Sequence, residues 1–297
     1  MSANSIESGY NSSNEEYQKP NHERIEKDQK RLQHDFVIEE ILMESANGRL
    51  YTGYDSKTHD PVVIKQIPRS KVNTWCQLGD AIVPSEIYYH FRAASFDTAG
   101  VIIKPLAWFE KKSSFILIME RLANSCDLFD LSKKYGCLGD EAVYVIYTQV
   151  LQMVETLNKA GIVHRDIKDE NIVVDQSTLS VKLIDFGCAT LLDSSVRGDF
   201  SGTPEFYPPE FWRSGHYTHQ GMNMWSSGLV LYILLVGTLP FSSVEEIASY
   251  RVQNDKHIQH KSSSARTILN TVLQGFNSKR PGLAELQANV AKWGSCL

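Results

Sequence analysis

The sequence predicts an α+β fold of two lobes, in which a small lobe with an antiparallel β-sheet and one helix precedes a larger, mainly α-helical lobe. Two observations predict it. Short runs rich in β-branched and aromatic residues extend from Phe36 to about Arg121, whereas amphipathic helical patterns prevail after Arg121. With 297 residues, of which 42% are hydrophobic, the chain is long and apolar enough to form both lobes.

The first part of the folded region contains five strand patterns and one helix pattern. Asn47-Gly48 separates the first two strands and is a two-residue hairpin signal. Pro84 suits the first turn of a helix, so we expect a helix over 84–94. The strands are expected at 36–43, 49–55, 61–67, 101–109 and 114–120.

Helical periodicity dominates the rest of the chain. Residues 140–160 place apolar side chains on one face, with Asp140 as the expected N-cap and Gly161 as the expected stop. Residues 224–236 are apolar all round, which predicts a helix buried in the centre of the lobe. Further expectations are short strands at 172–174 and 181–184, helices at 264–273 and 282–291, and a ligand-binding cleft at 120–125 between the lobes.

Composition excludes several classes of protein. A net charge of −5 and a pI near 6.0 argue against a nucleic-acid binder. The five cysteines are scattered and form no C-x-x-C pair, so neither a disulfide framework nor a zinc site is indicated. The longest apolar run is too short to span a membrane. We expect a monomer in the cytoplasm, and a nuclear location is also open.

Residues 1–33 are expected to be a disordered polar tail with some helical tendency near 23–31. The tail is followed by a domain at 34–293, which divides into its two lobes near 121/122.

Five separated segments carry chemically competent residues. Lys65 ends the strand V-V-I-K, and Glu86 lies in the following helix; the octet 164–171 (HRDIKDEN) directly follows the long helix, and 185–187 (DFG) and 208–210 (PPE) come later. The strand with its lysine would by itself indicate only a strand, but the octet has few structural explanations. In this order the segments resemble the protein-kinase signature set.

Each segment has a chemical role in phosphoryl transfer, where catalysis consists of positioning and charge neutralisation. We expect Lys65 to hold the α- and β-phosphates of ATP, with Glu86 fixing its ammonium group. Asp166 would accept the proton of the attacking hydroxyl, and Lys168 would reach the γ-phosphate. The predicted catalytic residues are Asp166, Lys168 and Asn171; the predicted Mg²⁺ ligands are Asn171 and Asp185; and the predicted ATP-binding residues are Leu42, Gly48, Leu50, Val63, Lys65, Glu86, Met119, Glu120, Leu122, Asp127, Ile184 and Asp185.

The segment 202–210 (GTPEFYPPE) refines the class. Pro204 favours an extended Thr203, whose hydroxyl is then expected to hydrogen-bond Asp166 and Lys168 and shape a site for a Ser or Thr substrate. Lys168 is also the residue type found there in Ser/Thr kinases. Glu210 and Arg280 are expected to form a buried ion pair.

Over residues of about 36–290 the chain resembles the Pim family of Ser/Thr kinases. The resemblance is carried by 71–75 (KVNTW), 118–121 (IMER) leading into 127–130 (DLFD), 169–170 (DE), and 199–203 (DFSGT) with 208–210. It implies a protein-kinase fold, Mg-ATP as cofactor, and Ser/Thr-containing protein substrates with Arg or Lys before the target residue. It also implies activity without phosphorylation of the loop.

The chain departs from the family pattern at several positions. In the glycine-rich loop at 43–48 only Gly48 remains, and Glu44 adds a negative charge, so we expect weakened ATP affinity. Leu122 stands where the family has a hinge proline, and Asn223 stands where most kinases have an aspartate that braces the catalytic loop. Of the family's substrate-binding acids the chain keeps Asp127, Asp130 and Glu170, and has Ile233 and Thr238 in place of two others.

The sequence leaves open the roles of two side chains and two alternative functions. Ser201 is a candidate phosphorylation site beside Arg165, and Cys188 is either a reactive thiol or a small packing residue. The degraded glycine loop is compatible with a pseudokinase scaffold. A small-molecule kinase is disfavoured because the 202–210 segment and Arg280 belong to recognition of peptide substrates.

Overall fold

The computed structural model describes residues 10–11, 19–45 and 48–297, and it confirms the α+β class. The described chain forms two compact units. The first unit comprises the described residues up to Ser95 together with Ile103–Ala123, and the second comprises Phe96–Ile102 and Asn124–Leu297.

The first unit is built on an antiparallel sheet. Its elements are β1 (Tyr10–Asn11), α1 (His22–Asp35), β2 (Phe36–Ser45), β3 (Gly48–Asp55), β4 (Pro61–Pro68), β5 (Thr74–Leu78), β6 (Ala81–Pro84), α2 (Ser85–Ser95), β7 (Pro105–Glu110) and β8 (Ser114–Glu120). Among the described residues, five strands form the main sheet in the order β2-β3-β4-β8-β7, and a separate small sheet has the order β1-β5-β6.

The hairpin β5–β6 is absent from the sequence prediction, and the expected helix start at Pro84 is wrong. Pro84 is the last residue of β6, paired with Trp75, and α2 begins at Ser85. A proline fits the end of a strand because it has no N–H to contribute to further pairing. The overlooked signal is Gly79-Asp80, a two-residue loop in which Gly79 has a φ of 64°. The other predicted hairpin has its turn at Asn47-Gly48, and Asn47 lies outside the described residues. Ser45 at the end of β2 pairs with Gly48 at the start of β3.

The expectation of a disordered tail at 1–33 is wrong for its last part, because His22–Asp35 form helix α1, which includes the helical tendency expected near 23–31. The Asn21 side chain caps the helix by accepting from the Arg24 backbone N–H. Leu32 is buried and packs in a core cluster with Val62, Ile64, Phe109, Ile116 and Ile118. Residues 1–9 and 12–18 of the expected tail lie outside the described residues.

A buried carboxylate completes the contact of α1 with the sheet. Asp28 is 4% exposed and accepts a hydrogen bond of 2.8 Å from the backbone N–H of Glu110, in the edge strand β7. The Arg24 and Arg31 guanidinium groups lie over the rings of Trp108 and Phe109. The helix thus satisfies a backbone donor at the edge of the sheet, which otherwise is open to pairing with other chains.

The second unit is mainly helical. Its elements are β9 (Ser125–Asp127), α3 (Leu128–Tyr135), α4 (Asp140–Ala160), β10 (Ile162–Val163), β11 (Ile172–Asp175), β12 (Val181–Leu183), β13 (Thr190–Leu191), α5 (Pro209–Ser214), α6 (His219–Val236), α7 (Val244–Ile247), α8 (Ser263–Val272) and α9 (Leu283–Gly294). Two small sheets, β12-β11-β9 and β10-β13, lie among these helices.

Helices α4 and α6 form the core of this unit. Almost every residue of α6 is buried, as its uniformly apolar sequence predicts. Gly161 ends α4 in the left-handed conformation, which confirms the predicted stop. The predicted cap Asp140 is wrong, because the N-cap is Gly139 and Asp140 is the first helical residue. Within the described part of the chain, no helix has both the length and the apolar character needed to cross a membrane.

We predict that α1 contributes to the stability of the first unit. Leu32→Ala should lower the free energy of unfolding by about 2–4 kcal/mol, because it leaves a cavity in a packed cluster. Gln33→Ala, at an exposed position next to it, should change it by less than about 0.5 kcal/mol. Urea denaturation of both variants checks this, and equal effects would show that α1 is not part of the folded core.

Candidate active site

In the first unit, Lys65 and Glu86 form an ion pair. Lys65 lies on β4 and its Nζ is 2.5 Å from Glu86 Oε1 on α2. Both side chains are largely buried, with 15% of the Lys65 side chain and 14% of the Glu86 side chain exposed. Because little water reaches the pair, the ammonium group is held in one position by a charge-assisted hydrogen bond. The strand and the helix therefore present a fixed cation.

The strand register shows which predicted ATP-binding residues share a face with Lys65. Leu50 pairs with Lys65, and Val63 pairs with Met119. Directly paired residues lie on the same face, and residues two apart on β4 do so too. Leu50, Val63, Lys65 and Met119 therefore form one face of the sheet, while the other face carries the cluster that includes Leu32.

The remaining predicted residues of this unit are placed differently. Leu42 is 53% exposed and lies where the register between β2 and β3 shifts, so pairing does not place it on the Lys65 face. Glu120 ends β8 and its carboxylate accepts from the Lys104 N–H at 2.7 Å. Leu122 follows β8 and is partly buried.

The degraded glycine loop contains a charge compensation that sequence reasoning missed. Glu44 on β2 is bound by Arg49 on β3, with Nη2 2.7 Å from Oε1. The negative charge expected to oppose ATP is thus neutralised by a neighbouring strand. Gly48 is required by the backbone, because its φ is 142° and a Cβ there would lie 2.1 Å from the Gln66 carbonyl oxygen. Ala46 and Asn47 lie outside the described residues.

In the second unit, the loop 164–171 and the segment 199–210 are joined by hydrogen bonds around Asp166. The Thr203 backbone N–H donates to Asp166 Oδ1 at 2.9 Å. Asn171 Nδ2 donates to Asp166 Oδ2 at 2.8 Å and to its carbonyl oxygen at 2.9 Å. Both carboxylate oxygens of Asp166 are therefore oriented by neighbouring donors.

Lys168 completes this network. Its Nζ donates to Thr203 Oγ1 at 2.8 Å and lies 2.6 Å from Glu170 Oε2 and 3.7 Å from Asp166 Oδ2. The expected contact of the Thr203 hydroxyl with Lys168 is thus present, whereas Asp166 receives the Thr203 backbone N–H instead of the hydroxyl. Thr203 is extended as expected, with φ −98° and ψ 122°, but the group that reaches Asp166 Oδ1 is its backbone N–H.

Asp185 is held next to the same loop. The Ile184 N–H donates to the Asn171 carbonyl at 2.9 Å, and the Ile184 carbonyl lies 3.1 Å from His164 Nε2. Phe186 is buried and packs edge-to-face on His164 at 5.0 Å. Asp185 itself adopts a left-handed φ of 61°, a conformation that non-glycine residues keep only where their surroundings impose it.

The donor atoms of Asn171 and Asp185 fit a divalent metal. Asn171 directs its amide nitrogen to Asp166, so its side-chain oxygen is the atom left for a metal, and Asp185 adds a carboxylate. Oxygen is the preferred ligand of Mg²⁺, which takes one or two protein ligands when substrate phosphates supply others. Asp127, also predicted to bind ATP, lies at the end of β9 and caps α3 by accepting from the Asp130 N–H at 2.7 Å.

Burial and charge shift several pKa values around the loop. Burial raises the pKa of Asp169 to about 6 and also raises the pKa of Asp127. Burial opposes the charge of Lys168, but the hydrogen bond to Glu170 and the charge of Asp166 outweigh it and raise its pKa, so the ammonium stays protonated. Burial raises the pKa of the Cys188 thiol, which favours the packing role for this residue over a reactive thiolate.

Arg165 anchors the 199–210 segment. Its Nη1 lies 2.6 Å from Asp199 Oδ2, and its Nε donates to the Cys188 carbonyl at 2.7 Å. Arg197 also binds Asp199, at 3.0 Å. Burial would raise the pKa of Asp199, but the two arginines lower it, so the carboxylate is charged. Arg165 therefore has an acidic partner without any modification of Ser201.

The predicted ion pair of Glu210 and Arg280 is confirmed. Arg280 Nη1 and Nη2 donate to the two carboxylate oxygens at 2.7 and 2.6 Å, and the Arg280 side chain is 1% exposed. Asn223, in place of the bracing aspartate, is buried, and its Nδ2 has no hydrogen-bond partner among the residues that the structure describes.

Two features define the protein kinases: a lysine on a sheet strand paired with a glutamate on a helix, and a loop that presents Asp166, Lys168 and Asn171 beside Asp185. The chain belongs to this family: residues 36–290 match the protein kinase domain. Its relatives place it among the protein serine/threonine kinases, enzymes that use ATP and divalent metal ions.

Three relatives illustrate the similarity. The serine/threonine-protein kinase pim-2 of Danio rerio is 31% identical over 258 residues, covering 84% of this chain and 82% of that protein. The kinase prk-2 of Caenorhabditis elegans is 36% identical over 188 residues, 63% of this chain and 42% of that protein. The kinase PSK2 of Saccharomyces cerevisiae is 30% identical over 266 residues, 87% of this chain but 24% of that protein. The matched region is thus less than half the length of the last two relatives.

We predict a pH-dependent stabilisation on replacing Asp169. Its raised pKa means that the folded protein retains a proton which the unfolded chain loses, so stability falls as pH rises from about 4 to about 6. Asp169→Asn should therefore increase the free energy of unfolding at pH 7.5 by about 1–3 kcal/mol and have a smaller effect at pH 4.5. Urea denaturation at both pH values checks this. Glu39→Gln, at an exposed position, serves as control, and a gain for Asp169→Asn that is equal at both pH values contradicts the argument.

Proposed function

We propose that the chain is a Pim-like kinase that transfers the γ-phosphate of Mg-ATP to Ser or Thr hydroxyls in proteins with basic residues before the target. The observation that carries this proposal is the hydrogen-bonded set of Asp166, Lys168, Asn171 and Thr203 beside Asp185. Every one of these side chains has the chemistry that phosphoryl transfer to an alcohol requires.

The residues of the chain would act in fixed roles. Asp166 accepts the proton of the substrate hydroxyl and aims its oxygen, since Asn171 and Thr203 hold the carboxylate in one orientation. Lys168 remains charged and neutralises negative charge on the transferred group. Asn171 and Asp185 would hold Mg²⁺, and Lys65, fixed by Glu86, would bind the phosphates. Bound Mg-ATP would supply the phosphoryl group that is transferred, and its metal ion would screen the negative charge of the phosphates.

A preference for basic substrates is supported by the charges of the second unit. Asp130 is an exposed carboxylate in the first turn of α3, and Glu170 is 53% exposed beside Lys168. Asp127 contributes less, because its carboxylate caps α3 and burial raises its pKa. Ile233, which stands in place of a family acid, is uncharged and buried in α6, so that position offers no charge to a substrate. We therefore propose that Asp130 attracts the arginines of the substrate, and that Glu170 adds less, because its Oε2 already lies 2.6 Å from Lys168 Nζ.

Activity without phosphorylation of the segment is supported by the pair Arg165–Asp199. A phosphate on such a loop acts by giving an arginine an anionic partner. Here Asp199 already supplies that charge at 2.6 Å. The pseudokinase alternative rests on the loss of two loop glycines, and the compensation of Glu44 by Arg49 weakens the electrostatic part of that alternative.

We predict measurable phosphate transfer by the purified chain. With Mg-ATP and a serine peptide carrying upstream arginines, radiolabel transfer should exceed that of Asp185→Ala by at least about 100-fold, because the variant loses a metal-binding carboxylate. The same peptide with its arginines replaced by alanine should show a kcat/KM lower by at least about 10-fold, because it loses one or more charge contacts.

The variant must retain the thermal stability of the unmodified chain for this comparison to hold. If the unmodified chain transfers no more phosphate to either peptide than Asp185→Ala does, the pseudokinase scaffold is favoured over the kinase. Equal transfer to the two peptides would support kinase activity but exclude a preference for substrates with basic residues before the target.

A further inference from the structure

The backbone of Ser201 is bonded on both sides by one tyrosine hydroxyl. The Ser201 N–H donates to Tyr207 Oη at 2.6 Å, and the Tyr207 O–H donates to the Ser201 carbonyl at 2.7 Å. We call this pair of bonds the Tyr207 clamp. Because it uses both backbone polar groups of one residue, it fixes the position of the peptide chain at Ser201 independently of the serine side chain.

The ring of Tyr207 is itself immobilised. It is fully buried, stacks on Phe200 at a centroid distance of 4.5 Å, and packs against Phe211 at 4.8 Å and Tyr217 at 5.4 Å. Aromatic contacts of this kind restrict rotation as well as removing apolar surface from water. The hydroxyl thus sits on a rigid support, and burial raises its pKa, so it keeps the proton that it donates.

The two residues after Ser201 approach the loop 164–171 closely. Gly202 has a φ of 108°, and a Cβ on it would lie 2.5 Å from the Arg165 carbonyl oxygen and 3.1 Å from Asp166 Oδ1. The next residue, Thr203, donates its N–H to Asp166 and receives Lys168 at its hydroxyl. A displacement of Ser201 therefore moves the groups that orient the proposed base.

We propose that Tyr207 is a positioning residue for phosphoryl transfer: its hydroxyl clamps Ser201, and thereby holds Gly202 and Thr203 against Asp166. This inference rests on the proposed kinase activity. The clamp acts in addition to the pair Arg165–Asp199, which anchors the segment two residues earlier. Together the ion pair and the clamp fix the segment on both sides of Phe200.

Tyr207→Phe tests the clamp because it removes the hydroxyl and keeps the buried, stacked ring. Amide hydrogen exchange at residues 201–203 should become at least about 10-fold faster, since the Ser201 N–H loses its acceptor. The kcat/KM for the arginine-containing peptide should fall by about 10- to 100-fold, because the base is less well oriented. The KM for ATP should stay within about twofold, because no predicted ATP-binding residue lies in the clamp.

Tyr232→Phe is the matched control. Tyr232 is also a fully buried tyrosine of the second unit, and its hydroxyl donates to Asp255 at 2.8 Å, so the substitution likewise deletes a buried hydrogen bond. It should leave exchange at 201–203 and the peptide kcat/KM unchanged. In Ser201→Ala the slow exchange at 201–203 should persist, since both bonds of the clamp use backbone atoms.

The outcomes separate the clamp from the proposed function. Unchanged exchange and unchanged peptide kcat/KM in Tyr207→Phe overturn the clamp, and so do equal losses in Tyr207→Phe and Tyr232→Phe, which would indicate a general loss of packing. If the unmodified chain transfers no phosphate, the catalytic role of Tyr207 falls with the proposed function. Faster exchange in Tyr207→Phe alone would then still establish that the hydroxyl holds the segment.

Discussion

The hydrogen bond from the Thr203 backbone N–H to Asp166 Oδ1, 2.9 Å long, joins the loop 164–171 to the segment 199–210, and the rest of the site is arranged around it. Asn171 orients the second oxygen of the same carboxylate, and Lys168 bridges toward the Thr203 hydroxyl. An isolated aspartate on a loop would rotate freely. Here every oxygen of the proposed base has a donor, which is the preorganisation that catalysis by positioning requires.

The surrounding fold supports this bond from three directions. Arg165 and Asp185 both adopt left-handed backbone conformations, held by the buried packing of His164 against Phe186. The pair Glu210–Arg280, in which the arginine is almost fully withdrawn from water, fixes the end of the segment to the helical core. Asp199 and Tyr207 hold its beginning, through a charge pair and a pair of backbone hydrogen bonds. Strain in the loop is thus offset by contacts distributed over the second unit.

Much of this arrangement was predictable because it depends on local periodicity or on the order of motifs along the chain. The helix at 140–160, the buried helix α6 and the pair Glu210–Arg280 follow from periodicity or from the order of motifs. For helix α1 the sequence indicates only a helical tendency near 23–31. Its packing on the sheet was not predictable, because its key buried group is the polar Asp28, and no motif links Asp28 to its partner Glu110. The compensation of Glu44 by Arg49 depends on strand register. The Tyr207 clamp depends on backbone atoms, which carry no sequence signal.

The side chains and backbone of the chain itself orient Asp166, and this arrangement needs no phosphate on the 199–210 segment. The most direct measurement is the kcat/KM of the purified chain for an arginine-containing serine peptide, before and after complete treatment with a nonspecific phosphatase. Intact-mass analysis must confirm that no phosphate remains. We expect values equal within about twofold, because Asp199 and Tyr207 anchor the segment in either state. A loss of about 10-fold or more on dephosphorylation, which is about 1.4 kcal/mol of transition-state stabilisation, would contradict it.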